Sequence, residues 1–104
     1  MLERTTNMPK KLFEEIEIKP GVVLKNRIMM APMTIQAAYF DGTATKEMID
    51  YYAHRSGEAG AIIVESSFVE DKGRGFAGAL GNNKDSQVKE LRKLANAIKE
   101  KGSK

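Results

Sequence analysis

The sequence is 104 residues long, the length of a single domain, and it is 41% hydrophobic and 30% charged, as in soluble globular chains. It has no cysteine and a single histidine, His54, which excludes disulfide scaffolds, thiolate sites and multi-histidine metal sites. No apolar run approaches the roughly 20 residues that span a bilayer. The polar lead, residues 1–11, lacks the apolar core of a signal peptide, so we predict a cytoplasmic protein with no membrane partner.

The positive charge is concentrated near the end of the chain. The net charge is +3, and residues 84–104 hold seven lysine or arginine residues against three acidic ones. Because this excess falls on one predicted helix, a solvated helix face explains it better than a nucleic-acid surface does. We therefore predict no nucleic-acid partner.

Two strand-like runs follow the polar lead, over residues 12–18 and 22–30. The Lys-Pro-Gly sequence at 19–21 separates them and is typical of a turn, so the two runs predict a β-hairpin. Proline cannot donate a hydrogen bond to a sheet ladder, and Pro32 is therefore predicted at the end of the second run rather than inside a strand.

A helix and a buried strand are predicted next. Thr45 can cap a helix that runs to about Ser56, and Ile49 and Tyr52 share its apolar face at helical spacing. The apolar run at 61–64 follows directly, and a short β-branched run after a helix is typical of a buried parallel strand. The alternation of strands and helices predicts an α/β fold with a parallel sheet.

A glycine-rich stretch precedes the last predicted helix. Residues 73–78 match the dinucleotide-binding pattern G-x-G-x-x-G, which needs a strand directly before it and a helix that starts inside it. Residues 68–72 separate it from the preceding strand, and further glycines oppose an immediate helix, so we predict a flexible loop. The last helix is predicted to start at Asp85 or Ser86 and to stop at Gly102.

Three polar features are candidates for function. Glu65 follows the 61–64 strand at its C-terminal end, which faces the ligand in parallel α/β folds. A functional carboxylate and a buried ion pair with a basic residue are weighed equally there. The Lys-Asn-Arg sequence at 25–27 suits either a phosphate or carboxylate contact or the polar end of a hairpin. His54 has no visible partner and is predicted to be a surface residue.

The sequence Ala31-Pro32-Met33-Thr34 carries the most information. Proline leaves the neighbouring backbone groups free to turn outward from the strand end. A flat ring with polar edges could bond those groups, with the Thr34 hydroxyl as donor or acceptor. A simple strand terminator would have the same sequence.

Seven blocks of the sequence occur together in one order. They are residues 11–14 (KLFE), 24–28 (LKNRI), 30–34 (MAPMT), 41–43 (DGT), 47–52 (EMIDYY), 60–66 (GAIIVES) and 73–75 (GRG). In this order and spacing they resemble the opening of the Old Yellow Enzyme family, the FMN-dependent ene reductases. The resemblance covers the chain from Leu12 to Lys104.

The resemblance implies a (β/α)8 TIM barrel. Residues 12–30 would form the hairpin that caps its bottom and lead into strand one, and residues 31–104 would form the first two βα units. Strand one would end at Met33 and strand two at about Glu65, both at the catalytic face. A complete barrel needs about 250 residues, so residues 1–104 would be an N-terminal fragment of an FMN-binding domain, an incomplete barrel.

The resemblance also implies a flavin site. Ala31, Pro32 and Met33 would contact the isoalloxazine ring of FMN, Thr34 would bond near its C4 oxygen and N5 and tune its reduction, and Ser66 would be a small flavin-contacting residue. NADH or NADPH would be the reductant. Beyond the tuning role of Thr34, the resemblance assigns no catalytic residue and no metal ligand to this segment.

Two functional hypotheses remain. The first is the N-terminal part of an FMN-dependent NAD(P)H oxidoreductase that reduces the activated C=C bond of a small enone or enoate substrate. On this hypothesis the 104-residue chain alone is incomplete and inactive. The alternative is an inactive barrel fragment that is stable only through self-association and binds flavin weakly or not at all. A nucleotide-binding domain built on residues 73–78 ranks last.

Overall fold

A computed structural model describes residues 11–104. The strands of this part of the chain are β1 (Ile16–Lys19), β2 (Val22–Leu24), β3 (Met29–Met30), β4 (Ala61–Ile62), β5 (Ser67–Phe68) and β6 (Leu80–Gly81). α-Helix α1 (Lys46–Arg55) follows β3, α-helix α2 (Val88–Glu100) follows β6, and 3₁₀ turns lie at Asp71–Gly73 and Asp85–Gln87. The strands form three two-stranded sheets. The predicted α/β class is confirmed, and residues 11–104 form no closed barrel.

The predicted hairpin is present but shorter than the sequence suggested. β1 and β2 pair antiparallel around a turn in which Gly21 has a φ of 82°. The run 22–30 was expected to be continuous, and this prediction is wrong. The side chain of Asn26 accepts a hydrogen bond from the backbone N–H of Ile28 at 3.0 Å. This local bond turns the chain, so that β3 joins a different sheet.

β3 and β4 form the parallel pair that the sequence predicted, with Met29 opposite Ala61 and Met30 opposite Ile62. Both strands are shorter than expected: β3 ends at Met30 rather than at Met33, and β4 ends at Ile62 rather than at Val64 or Glu65. Ile63, expected in the buried strand, is 43% exposed. The N–H of Ile63 donates to the carbonyl of Met30 at 3.1 Å. The next rung would need an N–H at Pro32, and proline has none, so the ladder stops there.

The other edge of β4 is bonded by the last residue of the chain. The N–H of Lys104 donates to the carbonyl of Gly60 at 3.0 Å, and the N–H of Ile62 donates to the carbonyl of Lys104 at 2.8 Å. A parallel neighbour on β4 would make the same two bonds.

Helix α1 begins and ends as predicted. The Thr45 hydroxyl oxygen accepts a hydrogen bond from the N–H of Met48 at 3.1 Å, and Ser56 is the C-terminal cap. Met48 and Tyr52 are buried on the inner face of the helix.

Helix α2 begins later than predicted. Asp85 and Ser86 lie in the 3₁₀ turn rather than at the cap, because the buried side chain of Gln87 organises this end. Its carbonyl oxygen accepts hydrogen bonds from the N–H groups of Asn83 at 2.9 Å and Lys84 at 3.0 Å. Gly102 ends the helix as expected, with a φ of 103°.

No sequence pattern predicted the second parallel pair. β5 and β6 pair with Ser67 opposite Leu80 and Phe68 opposite Gly81. Each strand has two residues, too few for a hydrophobic pattern to be recognised. The glycine-rich residues 73–78 connect the two strands, and no helix begins within residues 74–79. The prediction of a loop there is confirmed, and its flexibility stays a prediction.

The core lies between the two helices and the β3–β4 pair. Its buried members are apolar residues of α1, β4, β6 and α2 together with Ala44, namely Ala44, Met48, Tyr52, Ile62, Leu80, Leu94 and Ile98. Within residues 11–104, no helix has the length and apolar character that a membrane crossing requires.

Candidate functional site

The five residues predicted to contact flavin lie at one edge of the parallel pair. Residues 31–34 follow β3 directly, and Ser66 follows β4. Because β3 and β4 run parallel in register, both segments leave the sheet at its C-terminal edge. All five residues are exposed, and Met33 keeps 50% of its surface accessible.

This edge offers groups that suit a flat, polar-edged ring. The ladder stops at Pro32, so the backbone N–H and C=O groups after it form no hydrogen bonds of the β3–β4 ladder. Thr34 and Ser66 add exposed hydroxyl groups that can donate or accept. The residues present therefore fit the isoalloxazine part of FMN.

Glu65 lies between the end of β4 and Ser66, and it is only 2% exposed. The ion pair weighed for Glu65 in the sequence analysis is absent from the described residues, and a tyrosine takes its place. The Tyr52 hydroxyl donates to Glu65 Oε1 at 2.8 Å. The same hydroxyl oxygen accepts a hydrogen bond from the backbone N–H of Glu65 at 3.1 Å. We call this reciprocal pair of bonds the Tyr52–Glu65 clamp.

Burial keeps the Tyr52 hydroxyl protonated. Tyr52 has no accessible surface, and its desolvation raises the pKa of the hydroxyl well above its ordinary value. The hydroxyl, which is a donor at neutral pH, therefore stays protonated above the pH at which an ordinary tyrosine ionises.

The second carboxylate oxygen of Glu65, Oε2, is buried and has no hydrogen-bond partner among the described residues. A buried acceptor without a partner costs free energy. An unpartnered buried acceptor calls for an explanation such as a catalytic role, a water or an ion, and this one lies next to a predicted flavin contact.

The glycine-rich loop is fastened to the segment after β3. Gln36 has a φ of 56°, the left-handed region. A Cβ on Gly78 would lie 2.6 Å from the Gln36 carbonyl oxygen, so only glycine fits there. The Arg74 guanidinium lies over the rings of Phe40 at 5.1 Å and Phe68 at 4.7 Å, and it donates to the Phe40 carbonyl.

No sequence pattern indicated a role for Gln87. It is buried, and its side-chain amide donates to the carbonyl of Asp41 at 2.9 Å. A Cβ on Gly81 would lie 2.6 Å from that amide nitrogen. Gln87 thus holds the Asp41–Gly42 turn against β6.

The remaining candidates have structural or surface positions. Asn26 is buried, and its side chain donates to the carbonyl of Glu58 at 2.6 Å. Lys25 and Arg27 beside it are exposed, at the end of the sheet opposite to Pro32. His54 is exposed, as predicted. Among residues 11–104, no cluster of three histidine or acidic side chains could hold a metal ion.

The comparisons with known proteins agree on one class, the flavin-linked oxidoreductases. The sequence profile described as "NADH:flavin oxidoreductase / NADH oxidase family" matches residues 11–104. The chain belongs to this family.

Two curated relatives have names that state a reaction. The NADH:acrylate oxidoreductase of Vibrio harveyi is 65% identical over 94 residues, which are 90% of this chain and 9% of that protein. The NADH:fumarate oxidoreductase of Klebsiella pneumoniae (strain 342) is 45% identical over 95 residues, 91% of this chain and 10% of that protein. The chain therefore spans about a tenth of the length of these relatives.

The solved structures agree with the resemblance in the sequence. The Old Yellow Enzyme homologue from Zymomonas mobilis superposes with a TM-score of 0.81 at 35% identity, over 89% of this chain and 26% of that one. The resemblance to the Old Yellow Enzyme family is thereby confirmed.

Proposed function

We propose that the chain contributes one wall of the FMN site of an NADH-dependent oxidoreductase. The observation that carries the proposal is the shared edge of two neighbouring parallel strands. Residues 31–34 follow one strand, Ser66 follows the other, and all of them are exposed. Ala31, Pro32 and Met33 would contact the ring, Thr34 would bond near its C4 oxygen and N5, and Ser66 would contact it from the segment that follows β4. FMN, when bound, accepts a hydride from the nicotinamide and passes it to an acceptor.

NADH is the favoured reductant, because the relatives at 65% and 45% identity carry it in their names, whereas relatives named NADPH dehydrogenase are less similar, at 40% and 38% identity. The acceptors in the names of the two more similar relatives, acrylate and fumarate, share a C=C bond conjugated to a carboxylate. We therefore propose small α,β-unsaturated carboxylates as the acceptor class, within the wider group of activated alkenes.

The barrel is part of the same proposal. Residues 12–30 form the bottom hairpin with its lead into strand one, and residues 31–104 form the first two βα units. The parallel β3–β4 pair and the Lys104 bonds on the outer edge of β4 support this arrangement, since a third parallel strand would bond there. The 104-residue chain then lacks the rest of the site and is inactive alone.

The cofactor proposal is tested by mixing the purified protein with FMN and recording its visible absorbance after gel filtration. A stoichiometric yellow complex supports it, and Thr34→Ala is expected to shift the flavin bands or potential while Thr43→Ala does not. A protein that stays colourless at high FMN concentration contradicts it. The proposed inactivity would be wrong if the chain oxidised NADH with acrylate at rates near a full-length relative.

One observation favours the alternative, a self-associating fragment that binds flavin weakly or not at all. An apolar groove of about 280 Å³ lies between β4 and α2, lined mainly by Ile62, Val64, Leu91, Leu94 and Ile98. Apolar surface of this kind favours association with another chain. The mass in solution separates the two proposals, because a colourless oligomer fits the alternative and a yellow monomer does not.

A further inference from the structure

At the end of the β3–β4 ladder, the missing N–H of Pro32 explains the loss of only one of two expected hydrogen bonds. In a parallel ladder with this register, the rung after Met30 joins Pro32 to Ile63 and Glu65. Its first bond would come from Pro32, which has no N–H. Its second bond would run from the N–H of Glu65 to the carbonyl of Pro32, and proline does not prevent that bond.

The Tyr52–Glu65 clamp takes that second bond away. The N–H of Glu65 donates to the Tyr52 hydroxyl at 3.1 Å. Tyr52 lies on α1, so a helix side chain replaces the strand carbonyl as the acceptor. The Pro32 carbonyl, in the middle of the predicted flavin segment, is thus not engaged by Glu65.

We propose that Tyr52 is a positioning residue for the flavin site, which holds the β3–β4 ladder open at Pro32 and fixes the backbone before Ser66. The inference rests on the proposed function and deepens it. The ligand of this site is a flat heteroaromatic ring with an N–H donor at its edge. Because the ladder is open, the carbonyl of Pro32 is available to accept a hydrogen bond from that N–H. Tyr52 does not touch the ring and acts through the backbone of Glu65.

The carboxylate of Glu65 makes the clamp rigid. Its Oε1 accepts a hydrogen bond from the Tyr52 hydroxyl, so the hydroxyl lone pairs point at the Glu65 N–H and the two bonds support each other. Both groups are buried, where hydrogen bonds are strengthened by the low local dielectric. The segment that presents Ser66 is therefore held from the protein side before any ligand arrives, which lowers the ordering cost of binding.

The test compares Tyr52→Phe with Tyr51→Phe in the 104-residue chain. Both changes remove one hydroxyl and keep the ring, and Tyr51 is the neighbour whose ring meets that of Tyr52 edge-on at 5.1 Å. Two quantities are measured at a temperature at which both variants are folded by circular dichroism. They are the amide resonance of Glu65 and the dissociation constant for FMN from flavin fluorescence.

We expect the Glu65 amide resonance to move in Tyr52→Phe and to stay in place in Tyr51→Phe. The FMN dissociation constant should rise about tenfold in Tyr52→Phe, because the site must then be ordered by the ligand itself. It should stay within about twofold in Tyr51→Phe. Equal FMN affinity in both variants would overturn the positioning role, and an unmoved Glu65 resonance would overturn the clamp.

If the unsubstituted chain fails to bind FMN, the proposed cofactor site is contradicted, which is a different outcome from a positioning failure. If Tyr52→Phe does not fold, Glu65→Gln replaces it. The glutamine carbonyl can still accept the Tyr52 hydroxyl, so the clamp and the FMN affinity should be retained within about threefold. A folded Glu65→Gln protein with FMN affinity lost would mean that the charge of Glu65, and not the clamp, serves the site.

Discussion

The two ends of the β3–β4 pair differ in whether their polar groups have hydrogen-bond partners. At the N-terminal end, the side chain of Asn26 bonds both Ile28 and Glu58. Ser103, which is 2% exposed, accepts from the N–H of Gly57 at 2.9 Å and donates to the carbonyl of Ala59 at 2.6 Å. Buried side chains therefore satisfy the backbone of this end.

At the C-terminal end, the polar groups are turned outward or left without a partner. Residues 31–34 are exposed, and Glu65 keeps one buried oxygen unpaired within the described chain. In parallel folds, the first arrangement belongs to stability and the second to ligand binding. The same two strands thus have one end that holds the fold together and another that is available for chemistry.

The largest effect is expected from Gly60→Ala at the N-terminal end. Gly60 is buried, and an added methyl group would overlap the backbone carbonyl of Asn26. Neither backbone can move away freely, so the free energy of unfolding should fall by about 3 kcal/mol or more. Urea titration measures this, with Gly75→Ala as the control because nothing lies within 4 Å of its Cβ. Equal losses in the two variants would contradict the tight packing.

A smaller loss is expected from Asn26→Ala. The change removes the buried Asn26 side chain and leaves the N–H of Ile28 and the carbonyl of Glu58 without their partner at a partly buried place, which should cost about 2 kcal/mol of unfolding free energy. Asn82→Ala is the matched control, because Asn82 is exposed and bonds Phe68 only through its backbone. If Asn26→Ala is as stable as Asn82→Ala, the N-terminal end is not held by this side chain.

The contribution of the Tyr52–Glu65 clamp to the free energy of unfolding should depend on pH. The pKa of Tyr52 is raised in the folded protein, so the folded state holds its proton more tightly than the unfolded chain, whose tyrosines titrate near 10. Stability should therefore be complete below pH 10 and fall above it, by up to about 1.4 kcal/mol per pH unit. Urea titrations from pH 9 to 11 should show a shallower decline for Tyr52→Phe than for Tyr51→Phe. Parallel declines in both variants would contradict the buried hydroxyl.

The smallest effect on folding is expected from Pro32→Ala at the open end. Pro32 is exposed, so the unfolding free energy should change by no more than about 0.5 kcal/mol. The new N–H can donate to Ile63 and lengthen the ladder, which should weaken FMN binding. Pro20→Ala in the hairpin turn is the control and should bind FMN like the unsubstituted chain. If Pro32→Ala binds FMN as tightly as the unsubstituted chain, FMN binding does not depend on where the ladder ends.

Local chemistry in the sequence was enough for the elements near the site. The cap at Thr45, the parallel β-branched run after α1 and the stop at Gly102 each depend on neighbouring residues, and the structure has all three. The location of residues 31–34 at a strand end also followed from Pro32 alone. The family resemblance then supplied the candidate flavin contacts, which no pattern in the composition or periodicity indicates.

The contacts that shape the site could not be predicted in this way. Tyr52 meets Glu65 across 13 residues of sequence, and Gln87 meets Asp41 across 46. At the sequence level, Tyr52 was indistinguishable from any apolar residue on the inner face of a helix. The break between β2 and β3 was missed because it depends on one asparagine side chain that bonds its own backbone two residues on.

The contacts that hold the glycine-rich loop determine how the loop responds to ionic strength. The pairs Lys46–Asp50 at 2.7 Å and Lys84–Asp71 at 3.7 Å are exposed, and dissolved salt screens such pairs. Arg74 instead meets two aromatic faces and a backbone carbonyl, none of which carries a net charge for counterions to neutralise. The glycine-rich loop should therefore keep its place in concentrated salt, while the surface ion pairs dissociate.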